Sequence, residues 1–418
     1  MRVASTVAAI LLCWSFASRV VGEDWTEFRG STGQGHSTET GLPSHWSDLE
    51  NVAWKCEIPG KGWSSPIVVG RRLYLTTAVP TGPGDSAPQS LRAICVDAGG
   101  GNIIWNVEIF QQPEGVKVHA KNSHASPTPI TDGRRLFVHF GTHGTACLSL
   151  ADGGILWRNQ DLKYSPVHGN GGSPVLVEGL LIVSCDGSDE QFIVALDKMN
   201  GMIRWRRPRN MNPVKGFSFG TPLVIAIDGK RQVVSPGSDE VVAYDPENGR
   251  EIWIVRYPGG YSVVPRPVFG QNLLYVCTGY DAPMLLAIRP RGASGDVTQT
   301  HVAWRLKKSV PLNPSPLLVD DALYLISDNG VATCLEATTG MQRWQERIGG
   351  SFSASPIYAD GKIFLQSEEG DGIVLKPGPI YQEVARNPLR ERTLASYAIG
   401  DGALFIRSEK RVTRLQQK

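Results

Sequence analysis

The segment Ala195-Leu-Asp197-Lys-Met-Asn-Gly201-Met-Ile-Arg-Trp205 contains a spacing of small residue, acid, glycine and tryptophan that recurs along the chain. Five further copies occupy residues 95–105, 147–157 (with Ser149 in place of the acid), 243–253, 334–344 and, with an insertion around 291–295, 287–304. Similarity at a period of about 50 residues predicts a repeat architecture, in which each copy is one supersecondary unit.

A dipeptide that ends in proline precedes these copies and opens an apolar run. It occurs as Ser65-Pro66, Ser126-Pro127, Ser173-Pro174, Thr221-Pro222, Arg266-Pro267, Ser315-Pro316 and Ser355-Pro356. A turn containing Gly or Asp and a second apolar run follow. Each unit therefore contains four short β-rich runs joined by turns, which predicts a four-stranded antiparallel meander.

The two ends of the repeat region determine the number of units. A Trp strand at 51–58 has no preceding unit, whereas the last unit, 395–415, has three strands and lacks its Trp strand. We therefore predict an all-β, eight-bladed β-propeller in which the N-terminal strand closes the last blade. A degenerate outer strand near 381–384 completes the count beside the repeat tryptophans Trp54, Trp105, Trp157, Trp205, Trp253, Trp304 and Trp344.

The N-terminus has the pattern of a secretory signal peptide. Arg2 is followed by an uncharged apolar run from Val3 to Phe16 and then by small residues, a run too short to span a membrane. We predict a signal peptide over 1–22 cut after Gly22 (Ala17 is the alternative), an extension over 23–50 and the propeller over 51–418. The expected product is periplasmic or secreted, monomeric and without a membrane anchor.

Charge argues against nucleic acid as a partner. The chain has 42 Lys and Arg against 40 Asp and Glu, and residues 1–22 contain two of the arginines and no acid. The mature chain is therefore neutral, without the positive charge that binding to a phosphate backbone requires.

The repeat resembles the pyrroloquinoline-quinone (PQQ) type repeat of quinoprotein alcohol dehydrogenases and of the propeller lipoprotein of the outer-membrane β-barrel assembly machinery. No Trp is followed by Asp, which argues against the WD-type repeat. The amino-acid sequence is also similar to that of a narrower group of exported PQQ-like propellers found in bacteria such as planctomycetes. The segments that carry this similarity are 121–129, 141–147, 262–267 and 392–396.

The resemblance to the dehydrogenases implies features that this sequence lacks. Those enzymes use two adjacent cysteines beside the cofactor and hold Ca²⁺ through Glu, Asn and Asp, whereas no two cysteines are adjacent here. Instead, one repeat position is shared by Cys95, Cys147 and Cys334, which favours packing in a buried strand. A disulfide between two of the six mature cysteines is the alternative. We expect no cofactor and no metal, with PQQ and Ca²⁺ as the alternative.

Propeller geometry places the links between blades and the loops between second and third strands on one face. Polar residues, including four of the eight histidines, collect there. The candidate ligand-binding residues are His119, Lys121, Asn122, His124, His143, His168, Asn170, Asp186, Asp189, Arg266, Tyr280 and Asp281. The competing interpretation is that such residues cap strand ends and satisfy backbone groups in turns.

The sequence therefore predicts a binding or scaffold module that acts through this polar, His-rich face. Its partner is expected to be a protein of the cell envelope or a small polar ligand. The rival hypotheses are a PQQ- and Ca²⁺-dependent alcohol or sugar dehydrogenase and a carbohydrate-acting enzyme.

Overall fold

The computed structural model describes residues 23–84, 86–210 and 213–418. The predicted signal peptide lies outside these residues. Eight antiparallel four-stranded blades follow one another along the chain, one of them extended by a fifth, parallel strand, which confirms the eight-bladed propeller. Apart from a single 3₁₀ turn at Gly141–His143, the regular structure of the described residues is β, and none of their helices is long and apolar enough to cross a membrane.

The strands of each blade are given from the innermost outward. Blade 1 contains Ile67–Val69, Arg72–Pro80, Gln89–Asp97 and Ile103–Gln112. Blade 2 contains Ile130–Thr131, Arg135–His139, Thr145–Ser149 and Ile155–Asn159. Blade 3 contains Val175–Val177, Leu180–Asp186, Gln191–Asp197 and Ile203–Pro208. Blade 4 contains Leu223–Ile227, Lys230–Pro236, Glu240–Tyr244 and Glu251–Arg256.

The remaining blades follow the same order. Blade 5 contains Val268–Gly270, Leu273–Cys277, Leu285–Ile288 and Val302–Leu306. Blade 6 contains Leu317–Val319, Ala322–Ile326, Val331–Glu336 and Gln342–Arg347. Blade 7 contains Ile357–Ala359, Lys362–Gln366, Asp371–Leu375 and Glu383–Pro388. Blade 8 contains Ala398–Gly400, Ala403–Arg407, Arg411–Leu415 and, as its outer strand, Val52–Glu57.

Ring closure occurs where the sequence predicts it. The strand Val52–Glu57 pairs antiparallel with Arg411–Leu415, so the start of the propeller completes its last blade. The insertion in blade 5 forms a short strand, Gly295–Asp296, that pairs in parallel with the outer strand of blade 4. The insertion therefore reinforces the contact between blades 4 and 5.

The repeat residues form the contact between neighbouring blades. Cys95 pairs with Trp105 across the sheet, next to a β-bulge, and the same pairing and bulge recur in blades 2 to 6. The repeat glycine adopts a positive φ and lies against the tryptophan of the preceding blade: a Cβ on Gly101 would be 2.7 Å from the Trp54 ring. A small residue and a glycine are therefore required because each tryptophan fills the space beside them.

The six cysteines of the described residues are all buried free thiols, so no disulfide forms among them. Three of them, Cys95, Cys147 and Cys334, pair directly with a repeat tryptophan, at the position that is alanine in blades 3, 4 and 5. Their repeated placement is thus explained by the size of the side chain.

The segment 23–46 packs against the innermost strands of several blades. Trp25 forms a β-bridge with Val68 of blade 1, and His36 forms one with Tyr358 of blade 7. Between these contacts, the buried Arg29 donates Nη2–H to the carbonyl oxygen of Pro316 in blade 6, at 2.7 Å. The segment therefore lies across the central channel.

Candidate functional site

A ring of hydroxyl groups surrounds the propeller axis at the start of the innermost strands. Each hydroxyl oxygen accepts a hydrogen bond from the backbone N–H of the ring residue one blade earlier, at 2.8 to 3.0 Å; for example, Ser65 N–H donates to Thr128 Oγ1 at 3.0 Å. We call the following residues the hydroxyl ring: Ser65, Thr128, Ser173, Thr221, Ser315, Ser355 and Ser396. The bonds link successive blades, so the ring fixes their inner edges.

One residue of the ring corrects the repeat marker of blade 2. Ser126-Pro127 is the predicted marker, but the residue equivalent to Ser65 is Thr128, which precedes Pro129 and the strand Ile130–Thr131. Ser126 instead donates its hydroxyl to Asn122 Oδ1 within the same link, at 2.5 Å. Two X-Pro pairs stand two residues apart in this link, and the contact with the neighbouring blade selects the second.

Blade 5 departs from the ring because it carries Arg266 at the equivalent position. This buried guanidinium donates Nη1–H to the carbonyl oxygen of Phe28 at 2.6 Å and Nη2–H to the Glu27 carboxylate at 2.8 Å. Arg266 therefore holds the N-terminal segment against the inner side of the ring. Burial raises the pKa of the Glu27 carboxyl, and the charge of Arg266 opposes this shift.

A cavity of about 340 Å³ lies on the loop side of the hydroxyl ring, and we call it the funnel. Phe28 reaches it from the N-terminal segment and forms its floor, and six of the seven ring hydroxyls line it. Its walls come mainly from links between blades, and their principal side chains are Trp63, His119, Lys121, Asn122, His168, Phe219, Tyr261, Tyr280, Asn313 and Ser353.

Aromatic rings follow one another along one wall of the funnel. The ring centroids of His119 and His168 are 5.2 Å apart, those of His168 and Phe219 are 6.3 Å apart, and those of Tyr261 and Tyr280 are 6.3 Å apart. Phe217 stands between His168 and Tyr261, with centroids 5.2 and 5.3 Å from theirs. We call this set the aromatic wall; its members other than Phe217 line the funnel and offer several flat faces in one cavity.

Short backbone contacts hold the aromatic wall in place. The strands Gly260–Tyr261 and Tyr280–Asp281 pair antiparallel, which sets Tyr261 opposite Tyr280. Phe219 N–H donates to the Val263 carbonyl oxygen at 2.8 Å, and His119 N–H donates to that of His168 at 3.1 Å. The wall is therefore preformed.

The charged groups at the funnel are paired. Lys121 is the only charged side chain among the described residues that line it, and its Nζ is 2.8 Å from the Glu368 carboxylate. Burial opposes the charge of Lys121, but the hydrogen bond and the charge of Glu368 outweigh burial and raise the pKa. At the rim, Lys215 pairs with Asp281 at 2.6 Å. Both lysines are therefore neutralised by carboxylates.

The structure brings together five of the twelve predicted site residues. His119, Lys121, Asn122, His168 and Tyr280 all line the funnel. Burial and the nearby His119 lower the pKa of His168.

His124 lies in an adjacent cavity of about 490 Å³, which shares Trp63, His119 and Asn122 with the funnel. This second cavity lies between the long hairpin of blade 1 and the link to blade 2. Burial lowers the pKa of His124. Burial also lowers the pKa of His143, with added contributions from the charges of His124 and Lys163, to about 4.

The other six predicted residues line neither cavity. Asn170 is buried and donates to the Phe140 carbonyl oxygen at 3.1 Å, and Asp189 accepts the Ser165 backbone N–H at 2.7 Å. Asp186 forms a buried ion pair with Arg209, and Asp281 pairs with Lys215 at the rim. Arg266 holds the N-terminal segment, and His143 ends the short 3₁₀ turn. These contacts match the structural interpretation of loop residues.

Sequence reasoning missed the floor and much of the lining of the funnel. The hydroxyl ring was visible only as a repeat marker, and Phe28, Trp63 and Phe219 carried no signal of their own. A signal for the ring did exist, because a hydroxyl residue before proline recurs once in most units.

The described residues do not fit the metal site of a quinoprotein. No three His, Cys, Asp or Glu side chains among them are grouped so that they could hold an ion. Ca²⁺ requires six to eight oxygen ligands, commonly including carboxylates. The carboxylates next to the funnel lining already have partners. Glu368 is bound to Lys121 and to the Ser353 hydroxyl, Asp328 accepts from the Asn313 side chain, and Asp281 pairs with Lys215. We therefore derive no chemical step through PQQ or Ca²⁺.

Comparison with known proteins identifies relatives of this chain. A family model described as outer membrane protein assembly factor BamB matches residues 89–304 and 293–377. No curated protein sequence matches the chain significantly. BamB from Moraxella catarrhalis superposes with a TM-score of 0.60 at 14% identity, covering 87% of this chain and 99% of that one.

Two dehydrogenases share the same architecture. The quinohemoprotein alcohol dehydrogenase ADHIIG from Pseudomonas putida HK5 superposes with a TM-score of 0.63 at 10% identity, covering 94% of this chain and 80% of that one. A europium-containing methanol dehydrogenase superposes with a TM-score of 0.52 at 10% identity, covering 93% and 90%. At these identities the superpositions establish the fold alone.

Proposed function

This chain belongs to the PQQ-like β-propeller family whose model is described as outer membrane protein assembly factor BamB, and we propose that it is an exported binding protein whose recognition site is the funnel. Cleavage after Gly22 would deliver it to the periplasm or the exterior. The observation that carries the proposal is a preformed cavity with Phe28 at its floor, lined by aromatic faces and hydroxyl groups.

The geometry supports binding better than catalysis. The cavity volume of about 340 Å³ lies within the range of about 300 to 1,000 Å³ that is typical of small-molecule sites. General acid–base catalysis needs a titratable group placed to exchange a proton with the substrate. Lys121 is held by Glu368, and the rings of the two lining histidines lie side by side on one wall, so no proton-exchanging groups face each other across the cavity among the described lining residues.

A small polar ligand suits the funnel better than a protein surface does. Links between blades surround a recess that ends at Phe28, whereas protein interfaces usually bury about 800 Å² on each partner. An envelope protein is the second candidate, favoured by the description of the family model as an assembly factor.

The test is a ligand-observed NMR screen of the purified protein against a mixed set of polyols, sugars, amides, carboxylic acids and small heteroaromatic compounds. We expect hits that compete with one another and that are lost in Phe219→Ala. The control is Met341→Ala, which removes an exposed side chain in the turn before the outer strand of blade 6 and should keep the hits. The proposal is wrong if no class binds, or if Phe219→Ala retains every hit.

A further inference from the structure

Resting on the proposed function, we infer that the ligand of the funnel is a neutral saccharide, bound by the end of its chain. Three features carry this inference: unused protons in the hydroxyl ring, flat aromatic faces on the wall, and the absence of an unpaired charge among the described lining residues.

The hydroxyl ring supplies hydrogen-bond donors. A hydroxyl group has one proton and two lone pairs, and each ring oxygen already accepts one backbone N–H. Within the described part of the chain, five ring hydroxyls that line the funnel have no acceptor for their proton: Ser65, Thr128, Ser173, Thr221 and Ser396. All five are at least 96% buried, so a ligand oxygen is the natural partner for these donors.

The walls add two more donors with defined roles. His119 Nδ1 accepts the Lys121 backbone N–H at 3.2 Å, so the proton of the neutral imidazole lies on Nε2. The Tyr280 hydroxyl oxygen accepts Asn313 Nδ2–H at 3.1 Å, which leaves its own proton to donate. Donors thus converge from floor and wall, as a ligand rich in hydroxyl and ether oxygens requires.

The aromatic wall supplies the complementary apolar surface. Phe219 and Tyr261 are half-buried and line the funnel beside the hydroxyl ring. A pyranose ring carries C–H groups on its faces and hydroxyl groups around its edge, so one face can pack on an aromatic ring while the edge accepts hydrogen bonds.

The charge of the funnel selects against anionic ligands. A carboxylate or phosphate would need an unpaired cation, but Lys121 is bound to Glu368 and Lys215 is bound to Asp281. The end of a peptide also carries a charge, and its burial without a partner is costly. A neutral sugar avoids this cost. Because Phe28 and the N-terminal segment lie on the channel side of the funnel, we expect the ligand to enter from the loop face and to be recognised at its terminus.

The experiment is calorimetric titration of the purified protein with neutral oligosaccharides (β-1,4-glucose, α-1,4-glucose, xylose and N-acetylglucosamine series), with galacturonic acid oligomers and inorganic phosphate as charged probes. We expect saturable binding of at least one neutral series. Phe219→Leu, which keeps apolar volume and removes the ring, and Tyr280→Phe, which removes the donor, should each weaken it tenfold or more.

Tyr381→Phe is the matched control, because that hydroxyl donates to Glu383 on the outer strand of blade 7, and its binding should equal that of the unmodified chain. The inference is overturned if compounds from the NMR screen occupy the funnel while every neutral saccharide fails to bind, a result that leaves the proposed function standing. It is also overturned if a charged probe binds as tightly as the best neutral one. If nothing enters the funnel, both proposals fall.

Discussion

The buried ion pair between Asp186 and Arg209 predicts a large loss of stability when one partner is removed. Asp186, one of the candidate ligand-binding residues, accepts from Arg209 Nε at 2.7 Å and from Nη2 at 2.9 Å. Their side chains are 1% and 2% exposed. Although burial alone would lower the pKa of Arg209, the charge of Asp186 raises it, so the guanidinium stays charged. Asp186→Ala would therefore leave a buried cation without its hydrogen-bonded counter-charge, with the buried Glu240 as the nearby acid that remains.

The expected magnitude follows from what remains around that cation. Removing one partner of a buried pair costs about 3 to 5 kcal/mol. Arg209 Nη2 also donates to Ser235 Oγ at 2.7 Å, and this contact survives the substitution. We therefore expect the lower end, about 3 kcal/mol, measured by urea unfolding followed through tryptophan fluorescence with linear extrapolation. The double variant Asp186→Leu with Arg209→Met should recover part of this loss, because the cation is then removed as well, while the buried Glu240 loses the charge of Arg209.

The matched control is Asp281→Ala, since Asp281 and its partner Lys215 are about half exposed. Exposed pairs contribute about 0 to 1 kcal/mol, so this variant should unfold close to the unmodified chain. A loss below about 1 kcal/mol for Asp186→Ala, or equal losses for the two variants, would refute this reasoning.

Three further predictions concern the repeat, the buried histidine and the thiols. Gly361→Ala should lower the free energy of unfolding by about 1 to 2 kcal/mol through its positive φ alone, because no atom lies within 4 Å of the new Cβ. Gly101→Ala should lower it by about 1 to 3 kcal/mol more, because its Cβ would meet the Trp54 ring. Urea unfolding of the two variants measures the difference. Burial lowers the pKa of His139 to about 3, so the unfolded chain binds the proton more readily than the folded chain. The free energy of unfolding should therefore fall as the pH drops below about 6.5. Between pH 7 and 5 the unmodified chain should lose about 2 kcal/mol more than His139→Gln does. Thiol titration should detect slow reaction of the six buried cysteines in the folded protein and rapid reaction of all six after unfolding.

The fold was predictable because its information is local and repeated. The spacing from the small residue to the glycine and the tryptophan specifies one sheet and its contact with the next sheet. This spacing recurs several times in the sequence. Ring closure was predictable from the unmatched Trp54 strand. In blade 2 the sequence did not show whether Ser126 or Thr128 belongs to the hydroxyl ring, because this depends on the hydrogen bond to Ser65 in the neighbouring blade.

The sequence predicted on which face of the propeller the site lies, but not which residues of that face line it. Loop position correctly brought His119 and His168 together, but the same rule gave equal weight to Asn170 and Asp189, whose side chains satisfy neighbouring backbone groups. The direction of a loop side chain depends on unsatisfied backbone groups nearby, and one sequence does not show where those lie.

The exception in the repeat determines the shape of the funnel. Seven units place a hydroxyl at the axis, whereas the eighth places Arg266, which binds Glu27 and the Phe28 carbonyl oxygen. Gly33 allows this approach, because a Cβ there would lie 2.2 Å from the Arg266 guanidinium. A regular ring would leave the channel without this anchor for the N-terminal segment. The substitution that breaks the repeat therefore places Phe28 as the floor of the funnel, so the departure from the pattern, rather than the pattern itself, distinguishes this propeller's site.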